Sequence, residues 1–438
     1  MRSAALSNRF RGLRFTSLIM SNYNFREILI VLSLAGASVL QAETLEQLTG
    51  EALRNNPQFR VLQASVESAN GGVRTAKAWQ NPELSVAPGV RQHREGATET
   101  IFHGELELNQ LFLFPGKRQL LIAIAQRNVE ISKLALEGLR FQLTTAVRTA
   151  FYEMLAAQQI AALRTEQIES AKTFYEAAIK RAEGGYASDF EAVKGQADLI
   201  DAQKLARAAE GQIATARVEL NTLLGRDPSA PLRLNGTLRN AAPRGTTGNY
   251  VTLAMTRNPS LRTQEMQAQL AGLNLRKTRL GRHPDFAVGP RVEYTDREQT
   301  YGLGATVALP LWNQSQGEIQ TARAEEQKEV AAAEKLRAEI AGAVTKASAT
   351  LDISREQLAL YTPAFLDKLK AFVDQAEKSY AQNATTVLIY LDAKRTYFDA
   401  LASYYETLGH VASSRAELES AIGVPIDLRS SESEESKQ

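Results

Sequence analysis

The chain has 438 residues, room for two or three ordinary domains, with 44% hydrophobic and 23% charged residues. Its 51 basic and 49 acidic residues leave a net charge of +2, which excludes a strong electrostatic attraction to nucleic acid. The chain contains no cysteine, which excludes disulfides, thiolate metal sites, cysteine nucleophiles and lipid anchors attached to cysteine.

The first predicted element is an export signal. Residues 28–40, ILIVLSLAGASVL, are an apolar run that is too short to span a bilayer, follows five arginines and precedes small residues. We predict that residues 1–42 are a cleaved signal peptide, with an uncleaved membrane anchor as the alternative. Met20 is an alternative start. No later run is long and apolar enough for a transmembrane helix, so any later membrane span would have to be β.

The remaining chain contains an internal repeat. Asn56-Pro57 returns as Asn258-Pro259, 202 residues later, and the sequences LNTLLG and LESAIG end 198 residues apart. A nearly constant offset indicates a tandem duplication, because chance similarity does not keep its spacing. The predicted parts are a first repeat at 43–225, a loop-rich linker at 226–248, a second repeat at 249–423 and a disordered acidic tail at 424–438.

Each repeat is predicted as a helix, two strands and two long helices. In the first repeat these elements are 44–78, 83–93, 100–113, 116–183 and 188–224, and in the second they are 249–281, 285–296, 300–312, 316–381 and 385–422. An Asn-Pro pair is expected to break the first helix of each repeat. A run of some 65 residues extends about 100 Å as a helix, which predicts coiled-coil-like packing rather than a globular domain.

Short turns separate the two long helices of each repeat. Glycine or asparagine is predicted to end the first helix, and serine or threonine to cap the second. These tip residues are Gly184, Gly185, Ser188, Asn383 and Thr385. Ser188 and Glu191 have the spacing of a capping box. Each turn is therefore predicted to be the tip of a helical hairpin.

The four strands alternate between apolar residues and polar or small residues. The polar phase includes Arg91, Glu105, Glu107 and Glu293. Each run is about ten residues, the length that a barrel strand needs to cross a bilayer, whereas the alternative is a sheet packed on helices in a soluble α+β protein. Four strands cannot close a barrel. The sheet would have to be completed by other copies of the chain, with twelve strands from three copies or eight from two.

Two motifs and the order of elements carry a family resemblance. Residues 308–319, ALPLWNQSQGEI, resemble the second-repeat motif of the heavy-metal branch of the TolC-like outer-membrane efflux proteins, and residues 112–118, FLFPGKR, resemble the first-repeat exit. The resemblance covers essentially the whole chain after the signal peptide. It implies a mainly α fold with a small β part, in which long helical hairpins form an α-barrel. Four strands per chain would contribute to a trimeric, twelve-stranded β-barrel in the outer membrane.

The resemblance also implies partners and a gate. The hairpin tips would meet a periplasmic adaptor and an inner-membrane RND-type pump. The family's gate acid lies in a Leu-Asp-Ala stretch past the second tip, which here makes Asp392 the gate candidate, with Glu191 at the comparable place past the first tip. A second family acid is replaced by Ile389, so this gate should carry fewer charges. The alternative for both acids is ordinary solvated helix surface.

The predicted function is a passive exit duct for a tripartite efflux system. Divalent heavy-metal cations are the expected cargo, and drug or small-organic efflux or type I secretion are alternatives. A non-channel coiled-coil protein that bridges the periplasm is another alternative. An exported enzyme is disfavoured, because the sequence has no nucleophile elbow, phosphate loop or zinc-protease helix, and its four histidines do not have ligand spacing. No cofactor is expected.

Overall fold

The computed structural model describes residues 42–93, 99–184, 188–238 and 245–426, with the backbone alone for 91–93 and 99–101. The predicted signal peptide, Gly185, the side chain of Arg91 and the last twelve residues of the predicted tail lie outside the described residues.

The two repeats contain the same series of elements. The first repeat consists of α1 (Leu45–Asn55), α2 (Pro57–Lys77), β1 (Glu83–His93), β2 (Glu99–Phe112), α3 (Lys117–Glu183) and α4 (Asp189–Leu224). The second repeat consists of α5 (Thr247–Arg257), α6 (Pro259–Leu280), β3 (Phe286–Thr295), β4 (Gln299–Val307), α7 (Gln316–Leu360), α8 (Pro363–Ala381) and α9 (Val387–Ile422). The predicted class, mainly helical with four strands per chain, is confirmed.

The Asn-Pro pairs divide the first predicted helix of each repeat. Asn56 and Asn258 are both extended, and their side chains accept hydrogen bonds from the N–H groups of Gln58 and Ser260 at 2.9 Å. A proline then occupies the first helical position, where no N–H donor is required. Each pair therefore breaks the helix, as predicted, and the structure shows that its asparagine also caps the helix that follows.

A third break occurs where the prediction had one helix over 316–381, which is a correction. Helix α7 ends at Leu360, and Thr362 adopts an extended conformation in which its hydroxyl accepts a hydrogen bond from the Phe365 N–H at 3.2 Å. Pro363 then starts α8. Proline clashes with a helical conformation at the residue before it, and threonine can cap the new helix.

The strands form one antiparallel sheet in the order β1-β2-β3-β4, so β1 and β4 are its free edges. Strand β4 ends at Val307, whereas the prediction extended it to residue 312. The reason for this correction is that Val307 pairs with Phe286, the first residue of β3, so no partner strand remains for residues 308–312. Beyond the strand the chain makes a tight local turn, in which the Leu311 N–H donates to the Leu309 carbonyl at 2.9 Å.

The helices pack in two rows that share α3 and end with α7. Beside the sheet the helices follow the order α2-α3-α6-α7. Towards the hairpin tips the order is α4-α3-α9, and α7 and α8 both pack against the other side of α9. Between them lie two buried clusters at equivalent places in the repeats. Leu48 of α1 packs with Phe151 and Leu220, while Leu261 of α6 packs with Val344 and Leu418.

Arg226 joins the beginning of the first repeat to its end. Its guanidinium donates to Glu51 at 2.6 and 2.5 Å and to Glu43 at 2.8 and 3.1 Å, and all three side chains are largely buried. Arg226→Leu should destabilise the protein by about 2 kcal/mol, because two carboxylates lose their partner. Thermal unfolding followed by circular dichroism measures this loss. Arg207→Leu is the control, since Arg207 pairs with Glu210 on an exposed surface and its removal should have no measurable effect.

Candidate functional site

One face of the sheet is apolar and exposed. Along β1 it carries Leu84, Val86 and Val90, and along β4 it carries Tyr301 and Leu303, all of which are more than 60% exposed. A monomeric soluble protein rarely leaves a contiguous apolar surface of this kind uncovered, because its exposure to water is unfavourable. The surface therefore needs a nonaqueous neighbour.

The opposite face holds a cluster of charged side chains. Glu105 lies opposite Glu293 in the register of β2 and β3, and the Arg291 Nε is 2.8 Å from a carboxylate oxygen of Glu105. His103 Nδ1 lies 3.5 Å from Glu293, and the Glu107 carboxylate covers Gly304, where a Cβ would be 2.5 Å from its oxygen. The predicted polar phase is thus one surface with three carboxylates and one guanidinium.

Glycine is required on this surface at one further position. A Cβ at Gly289 would lie 1.5 Å from the Leu108 carbonyl oxygen, so any side chain there would displace the neighbouring strand. Gly289 precedes Pro290, which lacks an N–H to pair with β2. The pair lets the two central strands approach closely at this level.

The predicted tip residues occupy the two hairpin ends. Gly184 follows the last residue of α3, and Ser188 precedes α4, as predicted. The predicted capping box is wrong, because the Ser188 side chain accepts no capping hydrogen bond and Glu191 is engaged elsewhere. Asn383 does end the second hairpin's first helix, with a positive φ of 57° that asparagine tolerates.

Thr386 precedes α9, so the prediction of Thr385 as the cap is wrong by one residue. The left-handed Asn383 is followed by a hydrogen bond from the Ala384 N–H to the Ser379 carbonyl at 2.8 Å. The composition of the turn could not distinguish between two adjacent threonines.

Two hydrogen bonds between side chains connect the two tips. The Tyr380 hydroxyl donates to the Glu191 carboxylate at 2.7 Å, and the Arg181 guanidinium donates to the Asn383 side chain at 2.8 Å. The Tyr380 ring stacks on Tyr390 with centroids 5.1 Å apart. Burial is the main cause, and the hydrogen bond to Glu191 the second, that raises the pKa of Tyr380 to about 12. The phenol therefore keeps its donor proton at physiological pH. Glu191 thus holds the hairpins in contact.

A buried lysine lies beside these aromatic residues. Lys394 is 6% exposed, donates to the Ser170 carbonyl at 3.1 Å and lies 5.1 Å from the centre of the Tyr390 ring. Burial lowers the pKa of Lys394, and burial raises the pKa of the nearby Asp198. Sequence reasoning missed Lys394, because a lysine in a charged helix is ordinarily solvated and nothing in the local pattern marks it as buried.

Asp392 is exposed on α9 and makes no hydrogen bond or ion pair within the described part of the chain. Ile389, where the family's second acid is absent, is 54% exposed on the same helix. Asp399 and Glu406 follow Asp392 at seven-residue intervals and therefore lie on the same face of α9. The gate candidate is the first of three carboxylates along one helix face.

Among the helices of the described ranges, none is both long and apolar enough to cross a membrane. The same residues contain no group of three or more histidine, aspartate and glutamate side chains that could hold a metal ion.

The sequence matches the model of a known protein family, which defines the class of this protein. The model of the outer membrane efflux protein family matches residues 48–226 and 251–424, most of the chain. The chain belongs to the outer membrane efflux protein family. The predicted outer-membrane location and the predicted role in efflux are confirmed, and the family consists of transport proteins.

Individual relatives resemble the chain over most of its length. The cobalt-zinc-cadmium resistance protein CzcC of Cupriavidus metallidurans is 23% identical over 396 residues, which cover 87% of this chain and 90% of CzcC. The nickel-cobalt-cadmium resistance protein NccC of Alcaligenes xylosoxydans xylosoxydans is 23% identical over 67% of each chain. These relatives agree with the resemblance of residues 308–319 to the heavy-metal branch.

Among solved structures, the crystal structure of CusC aligns with a TM-score of 0.74 and 17% identity, and the alignment covers 93% of this chain and 95% of CusC. The similarity confirms the fold of long helical hairpins with a four-stranded sheet.

Proposed function

We propose that this chain is the outer-membrane exit duct of a tripartite RND-type efflux system and that it works as a homotrimer. Three copies of the four-stranded sheet complete a twelve-stranded barrel, and the long helices continue the duct into the periplasm. The duct is passive. It performs no chemistry and requires no cofactor, and the inner-membrane pump supplies the energy.

The division of the sheet into two faces is the observation that carries this proposal. An apolar face with Leu84, Val86 and Leu303 exposed fits the lipid of the outer membrane, and the charged face with Glu105, Glu107 and Glu293 fits a water-filled interior. A protein that only bridged the periplasm would have no use for such a sheet. Membership of the efflux family supports the same conclusion.

The hairpin tips are the proposed contact with a periplasmic adaptor. They lie at the opposite end of the long helices from the sheet, since α3 runs from β2 to Gly184 and α9 begins just after Asn383. The residues proposed to form this end are Gly184, Gly185, Ser188, Asn383 and Thr385.

The proposed cargo is divalent heavy-metal cations. The names of CzcC and NccC refer to resistance against cobalt, zinc, nickel and cadmium. Carboxylates outnumber guanidinium groups in the cluster on the polar sheet face, which favours cations in a wide aqueous path without tight ligands.

Purified protein in detergent should sediment as a trimer and should give ion conductance in planar bilayers. A monomer without conductance contradicts the proposal.

To test the cargo, the gene should be deleted in its host and growth measured on cobalt, zinc and cadmium salts. Increased metal sensitivity is expected, whereas unchanged metal tolerance with increased sensitivity to organic drugs would favour drug efflux.

Asp392→Ala should weaken block of the conductance by millimolar cobalt several-fold, because an exposed carboxylate at the narrow end of the duct attracts divalent cations. Single-channel recordings with cobalt added on the tip side measure the effect. Asp367→Ala, which removes an exposed acid on α8, is the control and should leave the block unchanged. Equal block of Asp392→Ala and the parent protein would remove Asp392 from the gate.

A further inference from the structure

A group of aromatic side chains lies where the sheet meets the helices. The rings of Phe112 and Phe286, which are opposite each other in the register of β2 and β3, stack with their centroids 5.5 Å apart on the apolar face of the sheet. The Trp79 ring meets Phe112 edge-on at a centroid distance of 6.2 Å, and 62% of Trp79 is exposed. Trp79 therefore extends the apolar face from the sheet towards the helices.

The second tryptophan of the chain lies at the same end of the sheet. Because the four strands are antiparallel, this end is where β1 starts and β4 ends, and Trp312 follows β4 with 93% of its surface exposed. The indole ring is apolar except for one N–H group, so tryptophan is favoured at the boundary between a membrane and water. The two residues indicate the level of such a boundary.

Arg118 is held against the exposed Trp79. Its guanidinium carbon is 4.3 Å from the centre of the Trp79 ring, and one terminal nitrogen donates to the Lys77 carbonyl at 2.5 Å. Within the described part of the chain, the Arg118 Nε has no hydrogen-bond partner and the guanidinium has no carboxylate partner. The neighbouring Lys117, in contrast, pairs with Asp285 at 2.9 Å. The Arg118 guanidinium is thus oriented but not neutralised.

The position of Arg118 in its helix is unfavourable for a cation. Helix α3 starts at Lys117, so Arg118 lies in the first turn, at the positive end of the helix dipole. Bases in the last turn of a helix are favourable, which accounts for Arg74 and Lys77 at the end of α2. No such reason applies to Arg118. Its charge therefore indicates an anion that is not part of the described chain.

Further bases lie at the same level of the molecule. Arg74 and Lys77 at the end of α2 correspond to Arg276 and Arg279 at the end of α6, with the offset of 202 residues. All four are exposed, and their side chains make no hydrogen bond or ion pair within the described ranges. No carboxylate compensates these charges in either repeat. The positive charge at this level favours an anionic partner.

We propose that Arg118, held against Trp79, binds the phosphate group of an anionic phospholipid in the periplasmic leaflet of the outer membrane. The site rests on the proposed duct, in which the apolar sheet face contacts lipid. A lipid is the occupant because the site is continuous with that face. Acyl chains cover Phe112 and Phe286, and the Trp79 indole lies at the level of the headgroups. This contact fixes the height of the sheet in the membrane.

Trp79 can report on its own surroundings. With Trp312→Phe, Trp79 is the only tryptophan of the chain, and bromine atoms on lipid acyl chains quench its fluorescence on contact. The protein should be reconstituted in vesicles of phosphatidylcholine and phosphatidylglycerol in a fixed ratio, with either lipid brominated. Quenching by brominated phosphatidylglycerol should be the stronger, corresponding to association about fivefold tighter than that of phosphatidylcholine.

Arg118→Gln in the same background should abolish this preference and leave quenching by brominated phosphatidylcholine unchanged. Arg140→Gln is the matched control and should keep the preference, because Arg140 is an exposed arginine about 33 Å further along α3. Circular dichroism reports folding. Should Arg118→Gln fold poorly, salt tests the same charge without that substitution, since raising sodium chloride from about 0.1 to about 0.5 M should weaken the preference.

Equal quenching by the two lipids, or a preference that survives in Arg118→Gln or at high salt, would overturn the site. Loss of the preference on addition of inorganic phosphate at constant ionic strength would show that the site binds free phosphate instead of lipid. If neither lipid quenches Trp79 in a trimer that conducts ions, a neighbouring copy or water covers Trp79, and the site is overturned while the duct is retained. Monomers without conductance would contradict the duct itself.

Discussion

Replacing Glu105, Glu107 and Glu293 together with glutamine should change the channel from cation-preferring to anion-preferring. In this cluster the three carboxylates and Arg291 carry a net charge of −2 per chain, and the substitutions leave +1. The charges lie on one sheet face around a shared path, where low-dielectric walls concentrate their field. The ratio of cation to anion permeability should fall several-fold and pass below one, as measured by the reversal potential across a potassium chloride gradient.

Arg291→Gln is the matched variant with the opposite expected sign. Removing the guanidinium that lies 2.8 Å from Glu105 leaves the carboxylates without their cation and should strengthen the cation preference. Both effects should weaken at high salt, because mobile ions screen charges over about 10 Å at 0.1 M. If the two variants shift the reversal potential in the same direction, or if neither shifts it, this face does not line the conducting path.

Tyr380→Phe should increase the conductance of the resting channel about tenfold. The substitution removes the hydroxyl that donates to Glu191 at 2.7 Å and leaves the ring in place to stack on Tyr390. A hydrogen bond to a charged acceptor is worth about 1.5 kcal/mol, which corresponds to roughly tenfold in the ratio of open to closed tips. Glu191→Gln should act in the same direction, and single-channel recording measures both.

The pKa of Tyr380 predicts how the hydrogen bond between Tyr380 and Glu191 responds to pH. Burial and Glu191 raise the pKa to about 12, so the donor proton is present at low and neutral pH and is lost only as pH rises through 12. The parent channel should therefore not open through this group between pH 7 and 9. Tyr175→Phe, on α3 near the same tip, is the control. Conductance equal to the parent in both Tyr380→Phe and Glu191→Gln would show that the tie does not restrain the tips.

The duplication and the strands could be predicted because they depend on local patterns. Alternation of period two and the repeated phrases around Pro82 and Pro284 predicted four strands, and four strands are present. Part of the change of offset from 202 to 198 arises at the strand hairpins. Five residues separate the last paired residues of the first hairpin, His93 and Glu99, whereas four separate Tyr294 and Gln299 in the second. The second hairpin turn is thus one residue shorter.

The errors occurred where one residue competes with a strong surrounding pattern. Pro363 lies in a run of helix formers, and the break became apparent only because Thr362 caps the next helix. Pro310 follows an alternating strand, yet pairing ends at Val307, because its partner Phe286 is the first residue of β3. Propensity summed over a window is a weak guide at such positions.

Of the candidate site, the sequence by itself determined which residues share a strand face or a helix face. The tertiary structure alone decided which faces meet. Glu191 and Tyr380 are 189 residues apart, Arg291 and Glu105 belong to different repeats, and Lys394 is buried although the charged residues next to it, Asp392 and Arg395, are exposed. The physical reason is that period two and period seven define faces within one element. Contacts between distant elements depend on how long helices and strands pack, and that packing leaves no periodic trace in the sequence.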